Sequence, residues 1–78
     1  MPKIPVVKSK DFLKYLLKYN CKLVGIKGSH HKVLNENNNK ISIVPVHGNK
    51  DLPTGLFAKV LKDLKIDIES FLDFMENN

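Results

Sequence analysis

The sequence predicts a small α+β fold, a two-layer sandwich in which a three-stranded antiparallel sheet carries helices on one face. Apolar residues recur at helical spacing near both ends of the chain, and short strand-like segments separated by turn residues occupy its middle. The predicted order is helix, three strands, two helices, which is also the layout of a double-stranded-RNA-binding domain. With 78 residues, the whole chain, 1–78, is expected to form a single domain.

The first helix is predicted over residues 9–19. Ser9 is a suitable N-cap, and Asn20 can adopt the left-handed conformation that often follows a helix. Between these two residues an apolar stripe follows helical spacing and is expected to face the core. Its members are Phe12, Leu13, Leu16 and Leu17.

Three strands are predicted over residues 22–27, 30–35 and 40–46. Gly28 and Ser29 provide the turn between the first two strands, and the polar cluster at 36–39 leads into the third. Pro45 lies near the end of the third strand, a position typical of an edge or terminating strand.

Two further helices follow the strands. The second helix is expected to begin near Pro53, because proline suits the first turn of a helix, and Asp67 is expected to cap the last helix. The second helix is predicted to bury Leu56, Phe57, Val60, Leu61 and Leu64, and the last helix Ile68, Phe71, Leu72 and Met75.

Several classes of protein are disfavoured by the composition. No apolar run is long enough to span a membrane, and the first residues lack the apolar stretch of a secretory signal. Cys21 is the single cysteine, so neither an internal disulfide nor a cysteine zinc site is expected. These features favour a cytoplasmic protein with no cofactor and no membrane partner.

The charge is strongly asymmetric along the chain. Residues 1–62 contain 12 lysines and three acidic residues, a net charge of +9, whereas residues 63–78 have a net charge of −4. A basic body with an acidic tail suits a polyanionic partner, although a solvated lysine-rich surface would look the same. The chain contains no arginine. Since lysine meets phosphate as a point charge, strong base-specific recognition is not expected.

Strand alternation separates the two neighbouring histidines. If Val33 faces the helices, His31 shares its face, while His30 and Lys32 point to the opposite, open face. Leu34 has the same parity as His30, so one apolar residue is expected on the open face.

His30 has the chemistry needed to act on RNA. An imidazole titrates near neutrality and can accept a proton from a ribose 2′-hydroxyl or donate one to a leaving 5′-oxygen. Lys27 and Lys32 could stabilise negative charge developing on the phosphate. The simpler alternative is that His30 and His31 are polar residues at the start of an exposed strand, and on residue type alone that alternative is favoured.

Other polar groups allow a functional or a structural role. His47, near the start of the second helix, could position a phosphate or hydrogen-bond the loop backbone, and Gly48 and Gly55 are expected to serve backbone geometry. The three histidines lack the spacing of a helical metal-binding pair, so no metal site is predicted. A helical stripe of lysines, usually a solvated face, could also follow an RNA backbone. It contains Lys10, Lys14 and Lys18.

Three segments together resemble the HicA family of bacterial toxins. They are Gly-Ser-His-His at 28–31, Ile-Val-Pro-Val-His at 43–47 and Leu-Pro-Thr-Gly-Leu-Phe at 52–57, followed by Val60 and Leu61. The resemblance covers roughly residues 9–71. Two positions depart from the family pattern: Leu56 stands where a threonine is frequent, and Asn20 and Cys21 replace a frequent Gly-Phe pair. The Leu56 side chain has no hydroxyl, so the contact that the family's threonine would make at that helix start is not expected from this position.

The resemblance implies an mRNA interferase, a metal-independent endoribonuclease that a HicB-type antitoxin protein neutralises. By position, His30 is the implied catalytic histidine, and this outweighs the simpler alternative given above. The expected partners are mRNA and the antitoxin. The rival hypotheses are a non-catalytic RNA-binding module and a protein-interaction domain whose basic face binds an acidic partner. The residues expected to contact RNA are Lys27, Gly28, Ser29, His31, Lys32 and His47.

Overall fold

The predicted order of elements is confirmed by the computed structural model, which describes residues 3–78. Helix α1 (Ser9–Lys18) is followed by strands β1 (Cys21–Lys27), β2 (His30–Asn35) and β3 (Lys40–Pro45), and then by helices α2 (Thr54–Asp63) and α3 (Ile68–Glu76). The strands form one antiparallel sheet in the order β1-β2-β3. The chain is therefore an α+β fold with an open three-stranded sheet.

The first helix begins one residue earlier than its predicted cap implies. Lys8 is the N-cap, and Ser9 is a buried first helical residue whose hydroxyl accepts a hydrogen bond from the His47 backbone N–H at 3.1 Å. The prediction of Ser9 as N-cap is thus wrong, because a tertiary contact uses its side chain. Asn20 has φ +62°, which confirms the left-handed residue after the helix.

The core lies between the helices and one face of the sheet. Val33 of β2 and Val44 of β3 are fully buried, and three aromatic rings from the three helices contact each other above them. Those rings belong to Phe12, Phe57 and Phe71. Leu17 was predicted to share this core but is 41% exposed. The buried residues of α1 follow a narrower line that Leu17 does not join: Ser9, Phe12 and Leu16.

A hydrogen-bonded loop fixes the end of α2 to the sheet. The buried Asn35 amide donates to the Leu64 carbonyl at 2.8 Å, and the Asn38 amide donates to the same carbonyl at 3.1 Å. The last carbonyls of a helix have no partner within the helix, so these bonds stabilise the C-terminal end of α2. At the start of α3, Asp67 accepts from the Ser70 backbone N–H, which confirms the predicted cap.

Strand β1 contains a bulge that the sequence did not predict. The pairing with β2 passes from Leu23–Val33 to Gly25–Lys32, which leaves Val24 as the additional residue. The strand also begins at Cys21, one residue before the prediction, and β3 ends at Pro45, one residue before the predicted Val46. In the described part of the chain, residues 3–78, no helix is long and apolar enough to cross a membrane.

Candidate RNA-cleavage site

The register of the sheet places His30 on the open face. Its cross-strand partners are Lys27 on β1 and Pro45 on β3, and the next row on the same face contains Gly25, Lys32 and Ile43. Val33, in the alternate set of β2 residues, is fully buried beneath the helices. The expected separation of the two faces is therefore observed, with His30 and Lys32 exposed and His31 on the side of the core.

The β1–β2 turn is held by a single carbonyl oxygen with two donors. The Ser29 carbonyl accepts from the Val46 backbone N–H at 2.8 Å and contacts Nδ1 of His31 at 2.9 Å. Because a carbonyl oxygen only accepts, His31 carries a proton on Nδ1 in this bond. Gly28 has φ +59°, a conformation that favours glycine, and this makes the turn possible. Together these contacts fix the backbone immediately before His30.

A shallow cavity on the open face brings His30 together with two lysines. Its volume is about 320 Å³, and its wall includes His30, Lys27 across the strand pair and Lys32 two residues along β2. Lys27 is directly opposite His30, so their Cβ atoms are about 5 Å apart, and Lys32 is about 7 Å along the same strand. The remaining lining residues are Val24, Gly25, Ile26 and Ile43.

The electrostatics of this cavity favour an anion. The three strands contain no aspartate or glutamate, so no strand carboxylate neutralises Lys27 or Lys32. A phosphate entering the cavity would meet two ammonium groups and an imidazole. The same composition leaves His30 without a carboxylate from the sheet to orient its ring.

Both sheet-packed helices begin at the end of the fold that carries His30. The Ser9 backbone N–H donates to the Lys50 carbonyl at 3.0 Å, and the Leu52 N–H donates to the Val7 carbonyl at 2.8 Å, which brings the starts of α1 and α2 together. Neither helix has a side-chain hydrogen bond at its N-cap. Helix N-termini carry partial positive charge, and this end also holds two carboxylates, Asp11 in the first turn of α1 and Asp51 paired with Lys8 at 3.1 Å.

His47 is attached to this end through its backbone. Its N–H donates to the Ser9 hydroxyl, and its carbonyl accepts from the Lys50 N–H at 3.0 Å, while the residue itself is exposed. Neither bond uses the His47 ring, and both alternatives for that ring stay predictions. Gly48 has φ +56°, as expected for a residue serving backbone geometry.

One sequence prediction near the site needs correction, and another, the solvated lysine stripe on the first helix, is confirmed. Gly55 has no positive φ, and a Cβ there would meet nothing within 4 Å, so neither conformation nor space requires glycine. The lysine stripe lies on α1, in the helix layer on the other side of the sheet from His30, and its three members are exposed. The stripe consists of Lys10, Lys14 and Lys18.

The apolar wall of the cavity was missed by sequence reasoning. Val24 and Ile43 lie beside His30 and Lys32, and the available signal for the bulge at Val24 was Gly25, an isolated glycine inside a strand pattern. A signal for Ile43 was present, since the run Ile-Ser-Ile-Val in β3 places apolar residues on both faces of the strand. Among residues 3–78, no group of three or more His, Cys, Asp or Glu residues is arranged to hold a metal ion.

A comparison with protein-family models matches residues 9–66 to the HicA toxin of bacterial toxin-antitoxin. The chain belongs to the HicA toxin family. Membership makes it the toxin of a toxin–antitoxin system and implies an antitoxin partner, and HicA toxins are generally ribonucleases. The matched segment of this HicA-family chain runs from the start of α1 to Ile66, so it includes the whole sheet and the cavity. Comparisons with curated proteins and with solved structures gave no match.

Proposed function

We propose that this HicA-family toxin is an mRNA interferase that cleaves RNA with His30. The observation that carries the proposal is that His30, Lys27 and Lys32 line one exposed cavity of the sheet that has no acidic residue in its wall. A histidine in that position can exchange protons with a bound RNA, and the two lysines can hold the phosphate that reacts.

The proposed reaction uses a nucleophile supplied by the RNA. His30 accepts the proton of a ribose 2′-hydroxyl, and the resulting oxygen attacks the adjacent phosphorus. The bond from phosphorus to the 5′-oxygen of the next nucleotide breaks, and that oxygen takes a proton. The products are a 2′,3′-cyclic phosphate and a 5′-hydroxyl. Lys27 and Lys32 stabilise the charge that accumulates on the phosphate oxygens in the transition state.

The substrate is inferred to be single-stranded or weakly structured mRNA. The cavity is shallow and open, and its cations are lysines, which contact phosphate without the fixed geometry that reads a base edge. Gly28 and Ser29 contribute the turn backbone, His31 supports that turn, and His47 lies at the same end of the fold. Action on mRNA makes the cytoplasm its site of action.

The partner that restrains the toxin is inferred to be a HicB-type antitoxin. It would cover the face that carries His30 and Lys32, excluding RNA from the cavity while its acidic groups meet the lysines. Charge of opposite sign speeds the encounter of two proteins, so association should be fastest at low salt.

One observation favours a second candidate, a non-catalytic RNA-binding module. His30 has no strand carboxylate to orient its ring, and oriented histidines are the usual form of a histidine base. In that case the lysines would bind RNA and no bond would break. Cleavage products distinguish the two candidates directly.

The test uses the purified chain and a labelled single-stranded RNA, with excess EDTA present. The expected result is cleavage with 2′,3′-cyclic phosphate ends, together with complete resistance of an identical oligonucleotide that carries 2′-deoxyribose at the cleaved position. Cleavage of that deoxy substrate, or loss of activity in EDTA with recovery on adding a divalent ion, would assign a different mechanism. Binding of the RNA without any cleavage would favour the second candidate.

A further inference from the structure

The open face of the sheet carries apolar side chains that extend beyond the cavity. Ile41 and Ile43 of β3 are 48% and 42% exposed, and Val24 at the bulge is 43% exposed. Leu34 is half-buried and pairs across the sheet with Lys22 on one side and Ile41 on the other. We call Val24, Leu34, Ile41 and Ile43 the open-face strip. Contiguous exposed apolar residues of this kind mark interaction surfaces.

Lysines accompany the strip along its length. The three open-face rows are Lys27-His30-Pro45, Gly25-Lys32-Ile43 and Lys22-Leu34-Ile41, so each row contains one lysine. The face therefore combines an aliphatic centre with regularly spaced positive charge and, on the strands, no acidic residue.

We infer that the open-face strip is the anchor for the antitoxin, and that it binds a protein segment whose aliphatic residues are flanked by carboxylates. The inference rests on the proposed function, because it takes the antitoxin to cover the His30 face. It adds that the affinity comes mainly from apolar residues outside the cleavage chemistry. Burial of aliphatic surface supplies affinity, and the lysines select an acidic partner.

The strip is poorly suited to RNA. Unpaired bases bind proteins by stacking on aromatic rings, and the strands that form this face contain no Phe, Tyr or Trp, so its one aromatic ring is the His30 imidazole in the cavity. The aromatic side chains that contact one another belong to the helix layer, on the other side of the sheet: Phe12, Tyr15, Tyr19, Phe57, Phe71 and Phe74.

A second copy of this chain is also a poor occupant. Two open faces brought together would oppose the same lysines, with no strand carboxylate on either side to compensate them. A partner that carries carboxylates removes this repulsion and still covers the aliphatic residues. The positive charge of the open face therefore favours an acidic protein as the partner that covers the open-face strip.

Ile41 allows the anchor to be tested separately from catalysis. It is four residues from Pro45, the cross-strand partner of His30, a distance of about 14 Å along an extended strand, and it does not line the cavity. Ile41→Thr removes aliphatic surface while keeping a β-branched residue that suits a strand. Leu17→Ala is the matched control, since Leu17 is 41% exposed but lies on α1.

The experiment measures the affinity of each variant for the purified product of the adjoining antitoxin gene, together with RNA cleavage and RNA affinity. Ile41→Thr should bind the antitoxin at least about tenfold more weakly, mostly through faster dissociation. Its cleavage rate, RNA affinity and melting temperature should equal those of the parent, and Leu17→Ala should match the parent throughout.

Three results would overturn the inference. Parental antitoxin affinity in Ile41→Thr would show that the anchor lies elsewhere, and an equal loss of RNA affinity would make the strip an RNA-binding surface. A parent that is dimeric by light scattering, with a monomeric Ile41→Thr, would make the occupant a second copy. A parent that fails to cleave RNA would instead overturn the proposed function, and the affinity comparison would still decide whether the strip anchors the antitoxin.

Discussion

At the scale of single residues, the two neighbouring histidines of β2 differ in what they contact. His31 is half-buried and bonds the Ser29 carbonyl at 2.9 Å, whereas His30 is exposed on the opposite face. Because of this contrast, an alanine substitution at each of the two histidines in turn can separate a structural role from a catalytic one.

His31→Ala should lower the free energy of unfolding by about 1 kcal/mol, because it removes a partly buried hydrogen bond that holds the turn. For a domain of this size, such a loss corresponds to a melting temperature about 4–8 °C lower. The matched variant His30→Ala should stay within about 0.5 kcal/mol of the parent, as exposed positions usually do. Urea unfolding of the three proteins checks this, and equal stabilities would show that the His31 bond contributes nothing.

Cys21 gives a prediction about stability and pH. Burial, with a smaller contribution from the nearby Glu36 charge, raises the pKa of the Cys21 thiol from 9.0 to about 11. The thiol stays neutral in the folded protein at pH values where the unfolded chain loses its proton. Stability from this difference is therefore complete below about pH 9 and is lost as the pH rises through about 11.

The measurement compares the parent with Cys21→Ala by denaturant unfolding across that interval. Every other ionisable group is common to both proteins, so the difference in slope belongs to Cys21. Stability of the parent should fall more steeply with pH than stability of Cys21→Ala. Parallel curves would mean that the thiol titrates alike in the folded and unfolded states.

At the scale of secondary-structure elements, local chemistry explains which boundaries the sequence could predict. Asn20 at φ +62° and the Asp67 cap depend on neighbouring residues, and both were predicted correctly. Ser9 was assigned wrongly as a cap because its hydroxyl bonds the His47 N–H, 38 positions away in the chain. Contacts between distant segments leave no local pattern in the sequence.

The candidate site shows the same division between features that follow from the local sequence and features that depend on distant contacts. Alternation along β2 placed His30 and Lys32 on one face because period-two geometry follows from the backbone alone. The bulge that adds Val24 to the cavity, and the pairing that sets Ile43 beside Lys32, depend on strand register. Register is a tertiary property, so the charged part of the site and the apolar character of β3 could be read from the sequence, but not which apolar residues lie beside His30 and Lys32.

The strands and α3 should differ in their response to charge reversal. Replacing Lys27 and Lys32 with glutamate should weaken both RNA binding and antitoxin association. The slope of log K for RNA binding against log salt concentration should become shallower by about 0.7 for each phosphate that is no longer neutralised. Glu69→Lys and Asp73→Lys, on exposed positions of α3, should change neither interaction. Fluorescence anisotropy at several salt concentrations measures the first interaction, and stopped-flow association measures the second.

If reversal of Lys27 and Lys32 left both interactions unchanged, the binding surface would have to lie elsewhere. The next surface to test would then be the exposed stripe on α1, through glutamate substitutions at Lys10, Lys14 and Lys18. Loss of RNA binding in those α1 variants would place the RNA on the helix layer, away from His30, and would count against the proposed catalytic role of His30.

At the scale of the whole molecule, several elements converge at the end that carries His30. The starts of α1 and α2, the β1–β2 turn and the end of β3 meet at one end, and the hydrogen bonds from Ser9, Val46 and Leu52 hold them there. The net charge of −4 on residues 63–78 lies mostly on and around helix α3. This helix packs against the other two helices through Phe71. The molecule therefore has a basic body, which includes His30, and an acidic C-terminal helix.

The most direct test of this account is the cleavage rate of purified His30→Ala on a labelled single-stranded RNA, measured beside its RNA affinity and its melting temperature. The account predicts a rate lower by roughly a hundredfold or more, the usual contribution of a positioned acid–base group, with affinity and melting temperature near the parental values. Cleavage by His30→Ala at the parental rate would contradict the assignment of His30 as the catalytic residue.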